Sequence, residues 1–519
     1  MDSLLQLQAI SSLFALALFY ILWLSRPKNK KSNAHKPPEP SGGLPIVGHL
    51  LQLAGPDPLH RTLGSMADKY GPVFMLRFGS HRTLIVNGRD VAKECFTTND
   101  QALSARPKSA FGDHMSYNYA MFGFATYGSY WREVRKIATS QLLSNQRLKS
   151  LMHVRATEIS TCMDGLYGLW IENDQRPVKM DMKKWLYGLA FNILAKMIIG
   201  KRFFGTIDGD DEAVRVRRVM QQVSYLGGVF VPSDALPFLK WMDLQGHEWA
   251  MKRTAGEMDT IISSWLEEHR VKRQSDGPHN DQDFMDVLLS ILESAHVPSY
   301  DTDTIIKATV LMIIEAGSES MSSALIWTLS VLMNNRHVLV KAQEEVDRHV
   351  GRDRHVDDSD VKNLVYLNAI IKETLRLYPP SPLGVPHEAM QDCYIGGYHI
   401  PKGTRVMVNM WRLHRDPHVW SDPHEFQPER FLTDHMDTDF RGQHFEFMPF
   451  GYGRRSCPGM PLALPTVHLT LARLIHCFEW ATTDGGPVDM TETLQTTLTR
   501  SEPLELVFTP RLSPELYKH

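Results

Sequence analysis

The chain has 519 residues, 43% of them hydrophobic and 22% charged, with a formal net charge of −3. So even a balance leaves no basic footprint for nucleic acid as a principal partner. Five scattered cysteines (Cys95, Cys162, Cys393, Cys457, Cys477), odd in number and without a CxxC pair, point away from a disulfide framework or a closely spaced zinc site; they read as reduced thiols in a cytosol-facing protein.

Residues 4–24 (LLQLQAISSLFALALFYILWL) carry no charged side chain. At about 1.5 Å per residue they span roughly 30 Å, one bilayer core. Arg26, Lys28, Lys30 and Lys31 follow, while the opening holds only Asp2. This asymmetry predicts an uncleaved single-pass anchor over 1–25, with the body on the cytoplasmic side. The alternative, a cleaved signal, lacks a basic opening and a clean small-residue cleavage site. Residues 26–50 form a basic, proline-rich linker, of which 36-KPPEPSGGLPIVGHL-50 is stiff, non-helical and expected to end by packing on the body.

In the body, 51–519, apolar residues recur at three- and four-residue spacing over 129–145, 245–275, 303–334 and 336–350, predicting helices. Strand-like runs occur at 72-PVFMLRF-78, 83-TLIVN-87 and 404-TRVMVN-409, and 393-CYIGGYHIPKGT-404 reads as a hairpin turning on Gly396-Gly397. Residues 273–283 are the most loop-like stretch. Length alone suggests about three domains, but the pattern favours one large, mainly α domain with a small β region.

Four stretches carry chemistry. In 127-YGSYWREVRKIA-138, Trp131 and Arg135 share a helix face. In 311-LMIIEAGSESMSSALIW-327, Glu315 and Glu319 would be expensive in an apolar helix without a role. A glycine followed by small hydroxyl residues is also where a helix can loosen. In 372-KETLRLYPPSPLGVPHE-388, Glu373 and Arg376 lie three apart, where an ion pair is easy. In 449-PFGYGRRSCPG-459, Gly451 and Gly453 permit a tight turn, Cys457 is held extended by Pro458, and Pro458 suits the first position of the apolar helix 460–478. Pro465 makes that helix's first turn irregular. A sulfur at a helix N-terminus beside two arginines is expected to favour thiolate over thiol, as a ligand or a nucleophile.

Together these stretches resemble the cytochrome P450 superfamily of heme-thiolate monooxygenases. The pattern Phe-x-x-Gly-x-Arg-x-Cys-x-Gly is met by Phe450, Gly453, Arg455, Cys457 and Gly459. By that resemblance Cys457 is the axial ligand of heme b, Phe450 shields the sulfur, and Trp131, Arg135, His387 and Arg455 meet the propionates. Glu373 and Arg376, with Arg430 in 428-PERF-431, match the family's structural Glu-Arg-Arg core. The family's Ala-Gly-x-acid-Thr motif falls on Ala316, Gly317 and Glu319, with Ser320 in place of threonine. Glu319 and Ser320 are then the proton-delivery pair, the serine keeping the hydroxyl but losing the methyl that restricts its rotamer.

The resemblance further implies a substrate pocket drawn from 110–124, including Phe122, from Ala316, from Leu383 and Val385, and from the turn at 494–498. Its aromatic residues suit a flat, apolar, polycyclic ligand, though an aromatic-rich loop can also be simple packing. It implies dioxygen as co-substrate, NADPH and flavins reached through a partner NADPH–cytochrome reductase, and residence on the endoplasmic reticulum membrane. Arg132, Lys136 and Arg454 offer a basic patch to an acidic reductase, or simply a solvated face. Stretches such as 69-KYGPVFMLRFG-79, 282-QDFMDVLLS-290 and 510-PRLSPELY-517 resemble plant family 82, whose members act on alkaloids, flavonoids, coumarins, lignans and terpenoids. Two other readings stand beside the monooxygenase: an oxygen-independent heme-thiolate isomerase or dehydratase, and a non-catalytic membrane-anchored heme-binding protein.

Overall fold

Apolar spacing of three and four residues becomes helix nearly everywhere it occurs. In a computed structural model, which describes residues 11–12, 15–16, 19–20, 35–205, 211–276, 283–294 and 297–517, the helices that matter below are α1 (Leu59–Tyr70), α2 (Ser129–Ile137), α3 (Met152–Glu172), α4 (Met182–Ile199), α5 (Asp211–Gly228), α6 (His247–Asp276), α7 (Thr302–Asn334), α8 (Arg336–Val350), α9 (Val365–Leu377) and α10 (Met460–Cys477). Local chemistry sets several of their ends. Asp301 caps α7 by accepting the Thr304 N–H at 2.9 Å, and α4 stops at Gly200, whose φ of 70° is left-handed.

The helix expected over 129–145 is interrupted. After Ile137 the chain forms a π-turn over Ala138–Leu142, and Ser144 caps a separate short helix, Asn145–Ser150. Thr139 and Ser140 donate their hydroxyls to the carbonyls of Arg135 and Lys136, and such side-chain bonds compete with the regular helical ladder. At the cysteine turn α10 starts at Met460 as expected, but Gly459 is its cap and Pro461, not Pro458, sits in its first turn; the helix then runs on through Pro465.

The β region is small. One sheet runs β1 (Val73–Phe78), β2 (His81–Val86), β7 (Arg405–Val408), β4 (His387–Glu388), with β2 and β7 parallel and the other neighbours antiparallel. The hairpin of β5 (Cys393–Ile395) and β6 (Tyr398–Ile400) turns on Gly396 and Gly397 as expected, at φ 58° and 76°. A second sheet, β3 (Val178–Asp181), β11 (Glu505–Pro510) and β8 (Phe478–Thr482), and the pair β9 (Glu492–Leu494) and β10 (Leu498–Arg500) gave no signal in the sequence. Of these pairings only that of β3 with β11 joins distant segments, and it is not a local property; β9 and β10 form a short hairpin around 495–497.

The predicted anchor and residues 26–34 of the linker fall largely outside the described residues, as do 277–282 of the loop-like stretch. Among the described residues no helix is long and apolar enough to cross a membrane. From Pro38 onward the linker packs on the first sheet, Pro38 accepting the Met75 N–H at 2.8 Å and His49 bonding the Pro40 carbonyl at 2.9 Å. The core is organised around α7, which lies along α4 and also packs on α9 and α10. A Cβ on Gly317 would stand 2.7 Å from Leu194 Cδ1, so a larger residue there would make that α4 side chain shift.

Candidate active site

The cysteine turn is built by its backbone. Gly451 and Gly453 hold φ of 67° and 70°, and the Cys457 N–H closes on the Phe450 carbonyl at 2.8 Å. A Cβ at Gly453 would stand 2.4 Å from Asp100 Oδ1 at a left-handed φ, so any other residue there is strained. Cys457 is the one exposed cysteine of the five. Its thiol is nonetheless pushed up by desolvation, against the pull of the Gly459 and Met460 amides and of Arg135. Those amides and Arg135 are the groups that would favour a thiolate once a metal binds the sulfur. Ala316 is also exposed, in α7 between the buried Ile314 and Ser318.

Beside the sulfur lies a cluster of cations without an anion. Arg455 donates to the carbonyls of Ser104 (2.9 and 2.6 Å), Phe122 (3.2 Å) and Ala125 (2.6 Å), and lies over the Trp131 ring at 4.6 Å. Arg106 donates to Val385 and Pro386 carbonyls at 2.8 and 2.9 Å, and Arg135 to that of Ser456. Burial and mutual repulsion hold Arg106 down to about 10 and Arg455 to about 9. His387 falls well below its ordinary range by burial and these same arginines. No carboxylate pairs with any of the three guanidiniums among the described residues. Such a group is costly unless an anion arrives to complete it.

Two predicted propionate partners are already engaged. The Trp131 indole N–H is given to the Phe122 carbonyl at 3.0 Å, and His387 gives Nδ1–H to the Leu103 carbonyl at 2.7 Å. A neutral His387 then offers only a lone pair at Nε2, so meeting a carboxylate requires it to take up a proton.

Behind this cradle, Glu373 is fully buried and grips Arg376 through both oxygens, at 2.7 and 2.8 Å. It also accepts from Arg430 Nε at 3.0 Å and the Gln427 N–H at 2.9 Å. The remaining guanidinium donors reach carbonyls, Arg376 those of His414 and Pro423 and Arg430 that of Ser421. On α7 the helix continues unbroken through 315–320 rather than loosening, and Ser320 Oγ lies 3.5 Å from the Gly317 carbonyl.

The cytochrome P450 family model matches residues 37–508. The chain belongs to the cytochrome P450 family. It is similar to the xanthotoxin 5-hydroxylase CYP82C4 of Arabidopsis thaliana, 48% identical over 98% of this chain and 99% of that one. It is equally similar to the strychnine-10-hydroxylase of Strychnos nux-vomica, 48% identical over 98% and 97%. A zebra fish cytochrome P450 solved with progesterone superimposes with a TM-score of 0.74 at 27% identity, covering 88% of this chain and all of that one. The chain is therefore an oxidoreductase of the P450 monooxygenase class, and the family's prosthetic group is a heme bound through a cysteine thiolate. The residues present fit that group: an open sulfur at Cys457 and a cation cluster suited to two carboxylates.

Arg106 was not found from sequence. It lies in an irregular Ser-Ala-Arg-Pro stretch with no helical spacing to mark it, and only the fold brings it to Arg455. Of the four residues expected to line this P450's substrate pocket, Ala316 and Val385 carry open surface. Phe122 is buried in the main core, and Leu383 packs with Leu63, Phe74, Leu76 and Ile85 over the first sheet. Because Ser320 is only weakly tethered, Ser320→Thr is expected to preserve or raise product formed per NADPH. Peroxide release and NADPH consumption measure this; a fall in coupling counts against a proton-delivery role limited by rotamer freedom.

Proposed function

We propose that this P450 is an NADPH- and dioxygen-dependent monooxygenase that hydroxylates, or oxidatively dealkylates, an apolar polycyclic specialised metabolite of plants. The observation that carries this reading is the open Cys457 sulfur set in an anion-free arginine cluster. Heme, when bound, would supply oxygen activation. Arg106, Arg135 and Arg455 would hold its carboxylates, and Cys457 would present the ligand. Ala316, without a side chain beyond Cβ, leaves room at α7, while Glu319 and Ser320 hold and orient protons beside it. The Phe111–Phe124 ring contact at 5.2 Å and the open Val385 provide an apolar wall that excludes water from a flat substrate. Xanthotoxin and strychnine, named for the two plant relatives, support a small-molecule substrate. Electrons come from NADPH through a flavin-containing reductase docked on the basic side near Arg132, Lys136 and Arg454.

The test is recombinant protein with reductase and NADPH against panels of alkaloids, flavonoids, coumarins, lignans and terpenoids under isotopically labelled dioxygen. Label in one product, with NADPH consumed, is expected. Conversion without NADPH would favour an isomerase or dehydratase.

Residence on the endoplasmic reticulum membrane is part of the same proposal, and a surface patch supports it. Trp241 is 82% exposed and Trp249 62%, with Phe230, Phe238 and Leu244 near them in sequence and also exposed. This region meets the linker side of the molecule, where Ser80 N–H bonds Ala235 and Gly79 N–H bonds Val47, and where Leu44, Ile46 and Leu51 are exposed. An apolar face continuous with the segment that follows a membrane anchor suits insertion into the lipid surface. In vesicles containing brominated lipid, tryptophan fluorescence is expected to be quenched, and the quenching largely lost in Trp241→Phe with Trp249→Phe. Equal quenching in the double variant would remove this face from the membrane.

A further inference from the structure

Helix α7 carries a second acid that the oxygen-activation pair leaves unexplained. Glu315 precedes Glu319 by four residues, so the two carboxyls share one face of the helix. From α5, Ser224 Oγ donates to Glu315 Oε1 at 2.6 Å. Glu315 Oε2 is buried without a partner, and so is the Tyr187 hydroxyl on α4. The groups that face Glu315 are therefore Glu319 from its own helix, Tyr187 from α4 and Ser224 from α5. None is a cation, and neither acid joins an ion pair among the described residues. Ser224 is itself held in place, its carbonyl accepting Thr496 Oγ1 at 2.7 Å from the turn between β9 and β10.

Two carboxylates one turn apart in such surroundings cannot both be ionised at low cost. One must keep an O–H. Burial, together with Glu319, pushes the Glu315 carboxyl up to about 8. Tyr187 is driven far above its ordinary range by burial and the same acids, which removes it as a proton source.

We propose that Glu315 is a proton-holding residue for oxygen activation, a positioning residue that works through Glu319. The inference rests on the monooxygenase reading. In the step, the proton crosses through one intervening water: the Glu315 Oε2–H bond breaks as the water takes the proton, and an O–H bond of that water breaks as one forms on a Glu319 carboxylate oxygen. The electron pair stays on Glu315, whose new charge is stabilised by the Ser224 hydroxyl, and a solvent water later returns the proton. Glu319 passes its proton on beside Ser320. Ser224 keeps the carboxyl from rotating away while it is charged.

Glu315→Gln decides the matter, because the amide oxygen can still accept from Ser224 while the side chain has no acid proton. In wild-type holoenzyme the ratio of product to NADPH is expected to hold at neutral pH and fall as pH rises through about 8, where Glu315 loses its proton. In Glu315→Gln the ratio is expected to be several-fold lower, with peroxide released instead, and flat across that range; Glu315→Asp restores part of it. Infrared spectra of the ferric protein give a readout independent of turnover. A protonated-carboxyl C=O band is expected at neutral pH, fading above about pH 8 and absent from Glu315→Gln. A Gln variant with wild-type coupling and the same alkaline fall, or a carboxyl band unchanged by the substitution, overturns the proposal. A wild-type protein that never incorporates dioxygen, even with the band present, overturns the monooxygenase reading and the relay with it.

Discussion

Cys457→Ala is expected to abolish the red-shifted Soret band that reduced, CO-treated thiolate-ligated heme shows, and with it all oxygenase turnover. The other four sulfurs offer no substitute. Cys95, Cys393 and Cys477 are buried, and Cys162 is partly so. Burial pushes the thiols of Cys162 and Cys477 up to about 12, that of Cys393 to about 11, and that of Cys95 higher still. A ligand must be both deprotonated and open to the metal, and of the five only Cys457 is exposed. The turn itself is expected to persist, since the Cys457 N–H bond to Phe450 and the glycine geometry do not involve the sulfur. The variant should therefore fold, with circular dichroism close to wild type and heme content sharply reduced. A retained thiolate-type band in the alanine variant would show that another cysteine is the ligand and would undo the assignment of the site.

The second large effect is on stability. Glu373→Ala removes the anion shared by two buried guanidiniums, Arg376 and Arg430, both fully or nearly fully buried. Breaking a buried ion pair from one side costs about 3–5 kcal/mol, against a total stability typically of about 5–15 kcal/mol. Glu373→Gln keeps the shape but still leaves two charges without an anion, so it is expected to fail similarly. The damage lies where the 414–430 segment meets α9, since Arg376 also gathers the carbonyls of His414, Pro423 and Glu425. Soluble holoprotein should be mostly lost, and what remains should unfold at much lower urea. The exposed pair Arg218–Glu257, at 2.9 Å, is the control; Arg218→Ala is expected to cost well under about 1 kcal/mol because solvent screens it. A Glu373→Ala protein as stable as that control would refute a structural role for the triad.

These two sites were legible in the sequence because their signals are local. Glu373 and Arg376 pair at helical i, i+3 spacing, and the cysteine turn is dictated by glycines and prolines whose backbone preferences operate whatever surrounds them. The long helices α6, α7 and α8 followed from apolar periodicity for the same reason, to within a few residues of their ends. Where local chemistry competed with itself, as at the hydroxyls of Thr139 and Ser140, periodicity alone overran the helix end.

By itself, then, the sequence determined a mainly helical chain with a cysteine presented on a tight turn, an acid-bearing apolar helix and an ion-paired helix behind them. Only the tertiary structure decided which groups lack partners. It joined Arg106 to Arg135 and Arg455 from three distant segments, spent the Trp131 indole N–H on a carbonyl, lowered the His387 imidazole by burial among arginines, and left Ala316 and Cys457 exposed while closing Phe122 and Leu383 into packing. It also enclosed Glu315 among α4, α5 and α7 without a cation. Spacing along a chain specifies which face of an element a residue occupies. Desolvation and pairing depend on what the rest of the fold sets against that face, and those are the quantities that set charge and reactivity here.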